Sequence, residues 1–147
     1  MYDIVRGGHN LFRWLVLAAA VYAIVRAWRG WLGRAPWTAA DAAAGKLFTQ
    51  VMNVQFLLGL LLYAWLSPVT RQAFADFGAA MRSAPLRYYA VEHLLAMIAA
   101  VALVHVGVAR SRKATPDVAK HKAAALFFTI ATVVMLSRIP WDRPLVP

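Results

Sequence analysis

The sequence predicts an all-α membrane protein, a four-transmembrane-helix up-and-down bundle with a short interfacial helix between the second and third spans. Three observations predict it. Hydrophobic residues make up 62% of the chain and charged residues 15%, well away from the soluble average. The apolar residues gather into four runs, about 8–28, 47–66, 86–109 and 118–138, each near the ~20 residues with which a helix crosses a ~30 Å hydrocarbon layer. Prolines, glycines and basic residues separate the runs, and no repeat longer than a helix occurs. The 147 residues form one domain.

Taken in order, the first helix opens near Asp3, an expected N-cap, and has its apolar centre between Trp14 and Val25. Arg6 and Arg13 ahead of a run ending in Val21-Tyr22-Ala23 imitate a secretory signal, but apolar residues and Trp28 continue without a polar cleavage region, so an uncleaved helix is expected. His9 and Arg13 stand four apart on one face, and Gly7 and Gly8 leave room for close approach. After a turn over 29–36 rich in Trp and Arg, Thr38 followed by Asp41 gives a capping-box pattern for a second helix starting near Ala39. In its span Gln50 and Asn53 share a face and Gln55 points elsewhere. Such amides join neighbouring helices more often than they hold a ligand.

Ser67-Pro68 supplies an N-cap and first position for the short helix. Val69, Ala73, Phe74, Phe77 and Met81 form a stripe opposite Arg71, Gln72 and Asp76, the pattern of a helix lying in the membrane interface. Ala84-Pro85 ends it and launches the third span, which carries Glu92, His93 and His105 within an otherwise apolar run. A basic turn over 110–113 follows. Thr115-Pro116-Asp117 then starts the fourth helix, which holds His121 and closes at Arg138-Ile139-Pro140-Trp141.

The net charge of +10 lies almost entirely at the ends of apolar runs, where it meets anionic headgroups. The expected partner is therefore the lipid bilayer, not nucleic acid. Six Trp and the pair Tyr88-Tyr89 fall near span ends as an aromatic belt. Nine Lys and Arg occupy the two links that join first span to second and third to fourth, against seven, Arg143 among them, on the opposite side. That balance favours both termini outside the cytoplasm. The chain has no cysteine, which excludes thiolate clusters, covalently attached haem and disulfides.

Ionisable groups in a span face protein or a polar cavity, and they mark a candidate site. Helix order sorts the four histidines into two pairs. His9 and His93 enter from the terminal side at similar depth, while His105 and His121 stand equally far either side of a loop centred near residue 113. Two level imidazoles on separate helices can supply both axial ligands of a haem iron, which favours electron transfer over catalysis and leaves no catalytic residue to assign. His93 and His105 are twelve residues apart, about 18 Å of rise and about 120° of rotation, so their partners must differ. Arg13 and Arg138 are placed to meet propionates, and Glu92 to orient His93 or pair with Arg13. Gln55 is a further supporting group. The second pair admits either a second haem or a structural reading, an interfacial histidine in the basic run Lys120-His121-Lys122.

His9-Asn10-Leu11-Phe12-Arg13-Trp14, Val91-Glu92-His93, the run from His105 to Lys113 and the closing Arg138-Ile139-Pro140-Trp141 together resemble the small four-helix bacterial membrane proteins catalogued as cytochrome b-like. The resemblance implies a b-type haem carrier in the bacterial inner membrane. His9 and His93 would be ligands, and a quinone or redox protein would exchange electrons with it. The rival expectation is a haem-free accessory subunit of a larger respiratory or photosynthetic membrane complex.

Overall fold

The computed structural model describes residues 1–141, so Arg143 lies outside the described residues. Helix α1 (Tyr2–Leu32) begins two residues earlier than an Asp3 cap would allow. Met1 is the N-cap, and Asp3 sits in the first turn, where a carboxylate favours the positive helix end, paired with Arg6 at 3.1 Å. The helix runs past Trp28 into the expected turn and stops at Gly33, followed by Arg34 at φ 48°. Helix α2 (Ala39–Leu61) starts at the expected cap: the Thr38 N–H donates to Asp41 Oδ2 at 2.8 Å. Arg26 of α1 closes on the other oxygen of the same carboxylate at 2.9 Å, tying the two helices together. A π-helical turn, Leu62–Leu66, finishes the second span.

The interfacial segment is two helices, not one: α3 (Pro68–Ala75) and α4 (Phe77–Arg82). Ser67 caps α3 through Thr70 as expected. The break falls at Asp76, whose carboxylate accepts from the Ala79 N–H at 2.8 Å and caps α4 instead of continuing α3. Asp competes with the helical backbone through such local bonds, and here the bond outweighs the periodicity. The apolar stripe divides accordingly. Ala73 is buried, while Phe74 and Phe77 are exposed and stacked on each other.

The third span is α5 (Ala84–Arg87), a second π-helical turn (Tyr88–Glu92) and α6 (His93–Lys113). The expected basic turn is the last turn of α6, where Arg110, Arg112 and Lys113 meet the negative helix end. Helix α7 (Asp117–Leu136) completes the bundle. Four segments, Tyr2–Leu32, Ala39–Leu66, Ala84–Lys113 and Asp117–Leu136, are long and apolar enough to cross a membrane. The chain is an all-α membrane bundle.

The packing is square. Helix α1 lies between α2 and α7, α6 lies between α7 and α2, and α1 and α6 face each other across the diagonal. At the link end the square is filled. Glycine and alanine let helices approach there: the His121 ring of α7 occupies the space over Gly30, and Phe128 sits over Gly45 and Gly107. Phe48 meets Phe128 edge to face, and Val104 is fully buried beside them. Not every tryptophan is a belt residue. Trp28 turns inward and donates from Nε1 to Thr129 at 2.9 Å, and Trp37 packs on His121. At the terminal end the square is open.

Candidate functional site

The opening at the terminal end is a cavity of about 500 Å³ bounded by all four long helices, with His9 from α1 and His93 from α6 on its walls. That volume lies inside the ~300–1,000 Å³ range of ligand sites. The two imidazoles thus stand on the diagonal pair of helices and both line this one cavity.

His93 is oriented by the fold. Its Nδ1 lies 2.7 Å from the Arg138 carbonyl oxygen. A carbonyl only accepts, so Nδ1 carries the proton and Nε2 keeps its lone pair. A metal-ligating histidine is held in this way, through its second nitrogen. Tyr88 donates its hydroxyl to the same carbonyl at 2.7 Å.

His9 is held from α2. The Gln55 amide nitrogen donates to the His9 carbonyl at 3.0 Å and lies 3.4 Å from His9 Nε2, while the ring rests over Gly59, whose missing Cβ leaves it room. Among the described residues His9 Nδ1 and Gln55 Oε1 are buried with no partner. Buried polar atoms are nearly always satisfied, and two orphans on one cavity wall point to a group that completes the site. Arg13, buried one turn further in, also lines the cavity and lies 5.7 Å from the Trp14 ring centre.

Glu92 does neither of the things expected of it. It pairs with Arg87 at 2.8 Å and Arg138 at 3.8 Å, not with Arg13 or His93. The cause is the π-helical turn, whose i→i+5 bonding brings residues five apart onto one side and so sets Arg87 beside Glu92. Arg138 is corrected likewise. Its guanidinium bonds Glu92 and the Ser137 carbonyl, away from the cavity, and what it gives the site is the carbonyl that holds His93.

The second histidine pair is not brought together. His105 is exposed on the outer face of α6 and donates from Nδ1 to its own helix at Val101, 2.9 Å. His121 is 1% exposed, wedged between Gly30 and Trp37, with Nε2 3.5 Å from the Pro36 carbonyl. One imidazole faces outward and the other has no space beside it, so they cannot clasp one haem. His121 is buried within the bundle, as a packed side chain.

Sequence reading missed Tyr63. Its hydroxyl donates to the Ala90 carbonyl at 2.8 Å, and its own carbonyl accepts from Thr70 at 2.9 Å. These bonds tie both π-helical turns and α3 together at the cavity mouth. Such turns recur at functional sites, but the residue pattern of a π turn has no period of its own to read.

Comparison with models of protein families, with curated proteins and with solved structures returns no match.

Proposed function

We propose that this chain is a b-type cytochrome-like electron carrier of the bacterial inner membrane, with one haem b held between His9 and His93. The observation that carries the reading is the pair of imidazoles on diagonal helices lining one cavity of about 500 Å³. The orphaned His9 Nδ1 and the Arg138-oriented His93 fit a group with two nitrogen ligands. Among the described residues no three His, Cys, Asp or Glu side chains converge.

Bound there, haem b supplies one-electron chemistry between ferric and ferrous iron. The protein's part is to hold the ligands still. The Arg138 carbonyl locks the His93 tautomer, Gln55 braces His9 from α2, and the apolar walls formed by Leu94, Met97 and Val101 exclude water. Arg13 offers its buried charge to a propionate. His9 and His93 would hold the group from opposite helices, and the one-electron exchange it would supply, with a quinone or a redox protein, would need no bond making by the protein's residues.

The test is an absorption spectrum of the purified protein in detergent, oxidised and then dithionite-reduced, for the wild type, His9→Ala and His93→Ala. A sharp reduced α band that is lost in both variants supports the reading. No haem absorption after expression with ample haem would overturn it and put the accessory-subunit reading first.

A further inference from the structure

A second cavity, about 470 Å³, lies at the link end in the groove between α2 and α6, the adjacent pair with the slightest packing. Its floor is apolar, made by Gly45, Val108 and Phe128. Lys46 and Gln50 of α2 form one wall and Arg112 of α6 forms part of the other, under Trp37.

The direction of the two cations follows from helix geometry. Each Cα–Cβ bond leans toward its helix's N-terminus, and α2 and α6 run in opposite senses. At Cβ, Lys46 therefore leans toward the link surface and Arg112 toward the membrane, and both side chains line the groove. The carboxylate that lines this groove, Asp41, is already engaged by Arg26 at 2.9 Å and by Thr38. On the same face Asp117 is paired with Lys120. Among the described residues no ion pair involves Lys46 or Arg112.

A groove lined by two cations, an amide and an indole, over an apolar floor, is complementary to an amphiphile with a negative head. Basic pockets between spans take anionic headgroups in this way. We propose that this groove is a binding site for an anionic phospholipid, with the phosphate between Lys46 and Arg112 and an acyl chain along the α2–α6 groove. The site is at the opposite end of the bundle from the His9–His93 cavity and is independent of what fills that cavity.

Native mass spectrometry of the detergent-solubilised protein, titrated with phosphatidylglycerol or phosphatidylcholine, tests it. The wild type should retain phosphatidylglycerol and shed phosphatidylcholine. Removing both cations in K46Q/R112Q should weaken phosphatidylglycerol retention about thirty-fold, the combined attraction of two basic side chains. R29Q/K113Q, which removes the same charge from the same face outside the groove, should change it by no more than about two-fold. Equal retention of the two lipids by the wild type, or equal loss in the two double variants, would overturn the proposal. The single variants K46Q and R112Q, each expected to lose about five-fold, serve if the double variant misfolds.

Discussion

The two ends of this bundle contain the same kinds of residue, a histidine pair, glycines and apolar side chains, and use them in opposite ways. At the link end the glycines are filled. A Cβ on Gly30 would collide with the His121 ring, and one on Gly107 would lie 2.8 Å from Phe127 and 2.9 Å from Phe128. At the terminal end Gly7 borders open volume, and His9 and His93 line it. A histidine pair becomes a site only where packing leaves space between its members. His121 shows the alternative, an imidazole used as a space-filling side chain.

Substitutions that act differently at the two ends can break or sharpen that contrast. The largest effect is expected for Phe128→Ala, which empties the filled end and should cost about 3–5 kcal/mol. Leu94→Ala, on the cavity wall, should cost no more than about 1 kcal/mol, because that side chain already lacks partners on one side. Titration with SDS in mixed micelles measures both, and similar losses would mean that the terminal end is not hollow in solution.

Gly30→Ala comes next. Its methyl group cannot coexist with His121 as placed, and overpacking of this kind costs about 1–3 kcal/mol. Gly30→Ala combined with His121→Ala should recover part of the loss, and failure to recover would show that the clash is not with this ring. Gly59→Ala is the sharper probe of the site. Its Cβ would lie 3.2 Å from His9 Cε1, so haem retention should fall several-fold while the unfolding midpoint moves little. The smallest effect, and the one of opposite sign, is Gly8→Ala, which should stabilise α1 by about 0.5–1 kcal/mol, since a helical glycine is replaced without any contact being made. A destabilised Gly8→Ala would mean that something packs on that face.

Much of this could be read from the residues. The four spans, the Thr38–Asp41 and Ser67 caps, the Pro85 break and the placing of His9 and His93 at one end of the bundle all follow from local propensities and from counting helical rise, which depend on near neighbours in the chain. Two misreadings share one cause. Glu92 and the split of the interfacial helix at Asp76 each turn on a local departure from the α-helical repeat, a π turn or a side-chain cap, which periodicity averages over.

By itself, then, the sequence determined an all-α membrane bundle and a terminal-side histidine pair, because hydrophobic run length and rise per residue are properties of single helices. Only the tertiary structure decided which pair has a cavity between its members. Space between helices is set by what all four present at one level: Gly30, Gly45 and Gly107 admit His121 and Phe128 at one end, while the side chains at the other leave about 500 Å³ open. No single helix carries that information.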